Sequence, residues 1–569
     1  MLGIDFWDWV MLGIYLVGIT GVGVYMVTRV KDTADFFMAG RTQNRWFMMF
    51  FAFGSGTSGN DAVGVSSKSY TSGMSGIWYQ WLWLFATPFY WLIAPIMRRS
   101  RCLTTGDFFE QRYDSSVGGL YAIVGVSQLT LNLGVLLLGG SKMVEAVSNG
   151  AIPANYAVVA MTVMFVAYGV AGGLAAAIFT DFIQGILTII LSFMLLPVAL
   201  KAVGGFEGLR AGVADPTVFT IVSPGEINGF HVVMTGILAL VGIVTQPHIM
   251  GVCSAGRTEF DGRFGFATGN LIKRFCTIPW MLVGICGIVL YPQLTGTSPD
   301  TSPDLVYGLV ARDLLPTIMP GLVGIFLAAL LASIMSSCDA FMVSCSGLFT
   351  QNFWRRYIVT NADEKHYLWV GRIASLGVVV GGLSFAYLIP DVPTGLEWFF
   401  RMQAVMGAAF WLGLFWRRMT VAGAWAAFVT GVTVVFFTTL PQLQPWYAAN
   451  LPEFMIWEGK LRFSWSVFFY MTAGFSVGIL VSLLTPRVPE EKLEVFYGAL
   501  RTPVTGEEPH AAPFVLPPGV TPPPPHKLIN HPDLEIPFPT KVGMIGFAIF
   551  WGWVVGLIAL VYWIAGLGA

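Results

Sequence analysis

Residues 53–61 of the sequence read FGSGTSGND, within an apolar run that extends from residue 45 to residue 67. Three glycines in six positions, followed by two polar side chains, make a continuous helix costly at this point. In a bilayer core, unwound backbone survives only where it lines a cavity or is buried in protein. We therefore predict a membrane helix that is broken in its middle.

A second apolar run, residues 228–251, contains the sequence Gln246-Pro247-His248. The proline removes a backbone donor and clashes with the preceding turn, which predicts a second broken helix. Freed carbonyls at such breaks can coordinate a cation, and half-helix N-termini attract anionic groups. A glycine-rich helix could instead pack closely against its neighbours. Two breaks at corresponding positions favour a binding site at the bilayer midplane.

The composition indicates a membrane protein. Of the 569 residues, 55% are hydrophobic and 11% are charged, and the mean hydropathy is +0.69. A soluble protein has about a quarter of its residues charged and cannot hide so much apolar surface. The net charge of −1 gives no indication of nucleic-acid binding. The spacing of the six cysteines indicates neither a metal site nor a disulfide framework.

The apolar runs predict an all-α polytopic fold of about fourteen transmembrane helices. The two breaks lie five helices apart, at the start of two consecutive five-helix sets. Because each set has an odd number of helices, the second is inverted, which predicts a 5+5 inverted-repeat core. The predicted spans are 6–29, 45–67, 74–97, 116–147, 154–171, 175–200, 228–251, 266–293, 318–350, 367–389, 394–416, 420–440, 465–484 and 542–567.

These spans divide the chain into six parts. They are a first helix with a cytoplasmic loop (1–44), a first repeat (45–200), a second repeat (201–418), accessory helices (419–484), a proline-rich cytoplasmic segment (485–540) and a last helix (541–569). The proline-rich segment is expected to be a semi-rigid tether to the last helix.

The basic residues predict the orientation. With the N-terminus outside, 23 of the 31 lysines and arginines fall on the inside, Lys273 and Arg274 among them, and six fall on the outside. The even helix count returns the C-terminus to the outside. We expect a multi-pass protein of the plasma (inner) membrane, surrounded by lipid and with no obligate protein partner.

Several motifs together resemble the sodium:solute symporter family, which includes carriers of sugars, proline, pantothenate and sialic acid. The resemblance extends from about residue 6 to residue 503 and implies a LeuT-type core with alternating access. The motifs are ADFFMAGR at 34–41, GGL at 172–174 with TDFIQ at 180–184, QPH at 246–248, GLFWRRMT at 413–420 followed by Gly423-Ala424, and RTPV at 501–504.

The resemblance also implies a sodium site. Sodium takes about five or six oxygen ligands, mostly neutral where release must be easy. Ser333, Ser336 and Ser337 share one helix face because of their spacing, although membrane serines also bond to their own helix carbonyls. In the family, this serine-bearing helix supplies one backbone carbonyl and two hydroxyls. The broken helix supplies two further carbonyls, which alignment places on Gly54 and Thr57.

The expected solute contacts are Ser58, Asn60 and Asp61 after the first break, and Gln246 at the second. An ionised carboxylate in a membrane is a functional candidate by default, but Asp61 could instead pair with Lys68 near the outer mouth. The substrate class expected is a small polar organic solute.

A second cation site is expected at Asp181 and Asp339. Asp339 lies one turn after Ser336 on the same face. The resemblance implies that the family's second sodium site uses an aspartate, at position 181 in this sequence, together with two hydroxyl side chains. The two hydroxyl positions are occupied by Asp339 and Ala340 in this sequence. Two buried carboxylates cannot both stay ionised without a partner, so one would hold a cation or a proton. Asp339 could instead cap backbone groups or pair with Arg355 or Arg356 at the helix end.

The sequence thus predicts a sodium-coupled symporter. The alternatives are a proton-coupled carrier, a channel-like conductor on the same scaffold, or a transporter-like solute sensor. We expect no enzymatic activity, because HExxH, Walker A and nucleophile-elbow motifs are absent from the sequence.

Overall fold

A computed structural model describes residues 5–27, 33–223, 225–294, 296, 301–390, 392–506, 508 and 512–568. The basic residues Arg29 and Lys31, which the orientation argument used, lie outside this part of the chain. Apart from one small hairpin of strands β1 (Ile456–Trp457) and β2 (Lys460–Leu461), the regular structure is helical.

The longer helices are joined by short turns and by short helices that run across their ends. In chain order they are α1 (Phe6–Val27), α2 (Thr33–Met38), α3 (Arg45–Gly56), α4 (Gly59–Ser72), α5 (Trp78–Trp81), α6 (Thr87–Ser100), α7 (Thr105–Arg112), α8 (Ser115–Val147), α9 (Ala154–Met194), α10 (Leu196–Ala202), α11 (Gly205–Gly212), α12 (Gly229–Ile243), α13 (His248–Ser254), α14 (Glu259–Leu290), α15 (Val306–Leu314), α16 (Leu322–Gly347), α17 (Glu364–Leu388), α18 (Val392–Gln403), α19 (Gly407–Phe415), α20 (Val421–Thr439), α21 (Gln444–Asn450), α22 (Phe463–Leu484), α23 (Glu490–Arg501) and α24 (Lys541–Ala565).

Among the described residues, ten helices are long and apolar enough to cross a membrane, and α12 and α13 together make an eleventh. The chain is therefore an integral, multi-pass membrane protein. The three predicted spans that are not among these eleven, at 45–67, 74–97 and 154–171, fall on interrupted or shorter helices. The number fourteen stays a prediction.

Both predicted breaks are present. α3 ends at Gly56, Thr57 and Ser58 are extended, and α4 begins at Gly59. α12 ends at Ile243 and α13 begins at His248, with a bend of 70° between them. Glycines make the first interruption inexpensive, and Pro247 enforces the second.

A third interruption lies inside α9 at Gly173, which has φ of 57° and ψ of −156°. A side chain there would meet the backbone oxygen of Phe36 at 2.6 Å, so the position favours glycine for both conformation and space. The GGL motif at residues 172–174 therefore contains this interruption.

The first broken helix lies at the centre of the fold. α3 and α4 pack against α14 on one side and against α16 on another, and α3 also contacts α9. This arrangement brings the unwound residues next to three membrane helices that supply polar side chains.

The proline-rich segment differs from the expected tether because it is fastened to the rest of the protein. The Arg417 guanidinium lies 2.6 Å from a Glu490 carboxylate oxygen and 2.5 Å from one of Glu535. The backbone of Phe514 donates to the carbonyl of Ser100 at 2.9 Å. Ion pairs and backbone bonds supply a docking that proline content does not reveal.

Candidate functional site

A cavity of about 60 Å³ lies between the two breaks. Its wall includes Ser55, Gly56, Ser58 and Asp61 from the first break, Ile243, Gln246 and His248 from the second, Gln80 and Trp83 before α6, Asn270, Lys273 and Arg274 from α14, and Phe399 and Phe400 from α18.

Asp61 lies in this cavity and is paired with a lysine. One of its carboxylate oxygens lies 2.9 Å from the Lys273 ammonium and accepts a hydrogen bond from the Ser58 backbone at 2.9 Å. The other accepts from the Gln80 amide at 2.7 Å. Lys273 also donates to the carbonyl of Gly56. The pair therefore joins α14 to the broken helix, and its exposed fractions of 10% and 7% leave little contact with water.

The assignment of Lys273 and Arg274 to the cytoplasmic loop set was wrong. Both residues lie inside α14, and both are buried. A loop position would have placed these charges in water. Here their partners are Asp61 for Lys273 and the Gln80 carbonyl, at 2.7 Å, for Arg274.

The alternative pairing of Asp61 with Lys68 was also wrong. Lys68 lies 2.9 Å from Glu226, at a separate pocket that Asp61 does not line. Two helical turns separate Lys68 from the break, which carries its ammonium away from the cavity.

The other predicted solute contacts divide into two groups. Ser58 and Gln246 line the cavity, and the Gln246 amide donates to the Gln403 amide oxygen at 2.5 Å. Asn60 faces α8 instead, where its side-chain oxygen would lie 1.6 Å from a Cβ on Gly139. Asn60 is buried and does not belong to the cavity wall described here.

The predicted sodium ligands converge where α3 ends against α16. The Ser337 hydroxyl donates to the carbonyl of Gly54 at 3.1 Å. A Cβ on Gly54 would lie 2.5 Å from the Ser336 hydroxyl, so only glycine permits this approach. Ser336 is fully buried, and its hydroxyl lies beside the Asp181 carboxyl group. A hydroxyl oxygen beside a carbonyl and a second hydroxyl is a set that suits a hard cation.

Ser333 and Thr57 flank this set. The Ser333 hydroxyl accepts from the backbone N–H of Gly59 at 2.8 Å and donates to the Leu330 carbonyl at 2.7 Å. Its side chain therefore fixes the start of α4 against α16, and its backbone carbonyl is the atom that the expected site uses. Thr57 is fully buried, and its N–H bonds to the Gly54 carbonyl at 3.3 Å.

Asp181 and Asp339 lie together behind the serines. A Cβ on Gly54 would meet the Asp181 carboxyl carbon at 3.3 Å, and both aspartates are buried and close enough to interact. Tyr15 of α1 completes the cluster, since it neighbours both carboxylates and accepts a hydrogen bond from Gln184 at 3.1 Å. The alternative that Asp339 pairs with Arg355 or Arg356 was wrong. Arg355 contacts Glu364, and Arg356 contacts Glu110.

The comparisons with known proteins identify the family of this chain. The sequence model described as "Sodium:solute symporter family" matches residues 36–431, well over half of the chain. The chain belongs to this family. As a symporter of this family, it is a transporter and not an enzyme, and sodium is its coupling ion.

Individual relatives of this symporter are distant but extensive. A sodium/glucose cotransporter of Vibrio parahaemolyticus is 25% identical over 469 residues, covering 76% of this chain and 85% of the relative. An osmoregulated proline transporter of Bacillus subtilis is 24% identical over 506 residues, covering 86% and 96%. A solved Na⁺-coupled sialic acid symporter, in a substrate-bound outward-open state, has a TM-score of 0.69 at 18% identity, covering 85% of this chain and 99% of that structure. The last comparison shows that the two chains share a fold.

Four residues of the symporter's site escaped the sequence argument. Lys273 and Arg274 carried a signal, because they lie within a predicted span, where buried charges are functional candidates. Gln80 and Tyr15 carried a weaker one, since each is a single polar side chain in an apolar or aromatic stretch. Only the packing of distant helices brings them to the cavity and to the aspartates.

Proposed function

We propose that this symporter imports a small polar organic solute by alternating access, driven by the sodium gradient. The observation that carries the proposal is the junction of α3 with α16, where the Gly54 carbonyl, the Ser337 hydroxyl and the Ser336 hydroxyl meet. The cavity between the two breaks lies beside it, and Ser337 lines that cavity. Cation and solute would therefore share the wall between the two breaks.

The proposed sodium ligands are the carbonyls of Gly54, Thr57 and Ser333 and the hydroxyls of Ser336 and Ser337. All five residues are neutral, which suits an ion that must be released on the other side. The proposed solute contacts are Ser58, Asp61 and Gln246, with Asn60 supporting α4 from its position against α8.

A second cation site is proposed at Asp181 and Asp339. Their burial and mutual proximity support it, because two carboxylates in a low-dielectric region must hold a cation or share a proton. This cluster favours a second candidate function, in which a proton accompanies the sodium ion.

We further propose the fourteen-helix, 5+5 architecture, with repeats at 45–200 and 201–418. The interruptions at α3–α4 and α12–α13 support it, since each lies near the start of one repeat. The orientation with both termini outside, the plasma-membrane location, the accessory helices at 419–484 and the division of the remaining segments belong to the same proposal.

The test is the double variant Ser336→Ala/Ser337→Ala in proteoliposomes. Loss of two oxygen ligands, at about 1–3 kcal/mol each, should raise the sodium concentration needed for half-maximal binding and uptake well over tenfold. Ser346→Ala is the matched control, because Ser346 lies on α16 and its hydroxyl donates to the Val343 carbonyl of the same helix, at 2.8 Å. Sodium dependence equal to that of the wild type in a correctly inserted double variant would contradict the assignment.

A flux assay separates the symporter from its rivals. A symporter accumulates solute only with an inward sodium gradient, whereas a channel-like conductor passes ions at a rate that does not saturate with solute. A sensor binds solute without net uptake.

A further inference from the structure

The central cavity has an excess of positive charge. Its ionisable wall residues, among those that the structure describes, are Asp61, Tyr90, His248, Lys273 and Arg274. The negative charge of Asp61 is neutralised by the Lys273 ammonium, which lies 2.9 Å from its carboxylate. With His248 neutral, the wall keeps one net positive charge, and protonation of His248 would only increase it.

Arg274 is the source of that excess. It is 1% exposed, and in the described part of the chain no carboxylate oxygen lies within 4.0 Å of its guanidinium. Its polar contacts are neutral groups: the Gln80 carbonyl at 2.7 Å, the Asn270 side-chain oxygen at 3.4 Å and the Tyr90 hydroxyl. Its Nε has no hydrogen-bond partner among the described residues. A buried cation with this environment is costly unless an anion completes it.

A further feature favours an anion at the same place. The Asp61 carboxylate is already bound by Lys273, Ser58 and Gln80, which leaves little capacity for a cationic solute.

The aromatic part of the wall indicates an organic anion. Trp83 lies 5.6 Å from the Arg274 guanidinium, and Phe399 and Phe400 line the same space. Aromatic faces bury apolar carbon, whereas a planar guanidinium matches a carboxylate in shape and charge. We infer that the transported solute is a small organic carboxylate whose anionic group binds at Arg274. This inference rests on the proposed symport function and names its substrate class.

The charge balance of transport follows from the same geometry. A carboxylate entering with one sodium ion moves no net charge, and a second cation would make the cycle electrogenic. The Asp61–Lys273 pair contributes nothing to this balance because it is neutral with or without solute.

The experiment uses the full chain, purified and reconstituted, with carboxylates matched to their primary amides: acetate, lactate, pyruvate and benzoate against acetamide, lactamide, pyruvamide and benzamide. Binding is measured as sodium-dependent thermal stabilisation, and transport as sodium-driven uptake. We expect at least one carboxylate to bind about tenfold or more tightly than its amide, which is the size of one charge-assisted contact. Arg274→Gln should remove that preference, and Arg274→Lys should keep part of it while preserving the fold.

Arg401→Gln is the matched control, because Arg401 is an arginine of α18 that lies near Glu397 and outside the cavity wall. It should keep the preference for carboxylates. Binding of amides equal to that of carboxylates, binding of no carboxylate in the panel, or an unchanged preference in a folded Arg274→Gln variant would overturn the inference. Carboxylate binding without sodium dependence would support the anion site and overturn the proposed symport, so the two failures are distinguishable.

Discussion

Asp61 and Asp181 are buried carboxylates on opposite sides of the first helix break, and their surroundings differ. Asp61 carries its own counterion, with the Lys273 ammonium at 2.9 Å and donors from Ser58 and Gln80. Asp181 lies beside Ser336 and near a second carboxylate, Asp339. In the described part of the chain, no lysine or arginine nitrogen comes within 4.0 Å of the Asp181 carboxylate.

This difference separates two uses of buried charge. A carboxylate with a built-in ammonium is neutralised at all times, so it can hold the shape of a cavity without responding to ions. A carboxylate without one needs a cation or a proton from solution, so its state follows the ion gradient. We therefore assign Asp61 to the solute side of transport and Asp181 to the ion side.

The largest expected effect comes from removing the Asp61 counterion. Lys273→Met leaves a buried, uncompensated carboxylate, which costs about 3–5 kcal/mol. We expect the greatest fall in melting temperature of the detergent-purified protein, together with loss of uptake. The double variant Asp61→Asn/Lys273→Met should recover part of the stability, because neither charge remains. A Lys273→Met protein as stable as the wild type would break the distinction between the two aspartates.

A direct comparison of two single variants tests the distinction between Asp61 and Asp181. Asp61→Asn should alter solute affinity or ranking about tenfold while the sodium dependence of binding stays within twofold. Asp181→Asn should alter the sodium dependence of binding about tenfold while solute affinity stays within twofold, since it removes a charge beside the proposed sodium ligands. Titrations of sodium and solute against thermal stabilisation provide both values. If both variants shift the same parameter, the two carboxylates do not have separate roles.

Asp339 tests whether the ion side binds one cation or two. Uptake is measured against pH and sodium concentration together. A wild-type Hill coefficient near two for sodium indicates a second sodium, and acid-stimulated flux with a coefficient near one indicates a proton. Asp339→Asn should abolish whichever of these dependences the wild type shows. A variant with both dependences unchanged would leave the carrier with one cation site.

The smallest effect is expected at the outer pocket. Lys68 and Glu226 form an ion pair with side-chain exposures of 20% and 33%. Such partly exposed pairs contribute about 0–1 kcal/mol. Lys68→Met should change the melting temperature little and keep uptake within twofold of the wild type. A loss of uptake as large as that of Lys273→Met would show that the outer pair belongs to the transport machinery.

The local sequence determined several features of this protein. Apolar runs and the low charge content indicated a polytopic membrane fold, and the breaks at Gly54–Gly59 and at Pro247 were predicted and confirmed. The resemblance to the sodium:solute symporter family was confirmed by the match over residues 36–431. These features depend on the backbone preferences and hydropathy of neighbouring residues, which a sequence displays directly.

The tertiary structure alone decided which charges meet. It paired Asp61 with Lys273 rather than Lys68, turned Asn60 toward Gly139, and brought Tyr15 from α1 to the aspartates. It also fastened the proline-rich segment through Arg417. The physical reason is that an ion pair or a hydrogen bond depends on a few ångströms between side chains on separate helices. Spacing along the chain sets the face of one helix, but only the packing of several helices sets those distances.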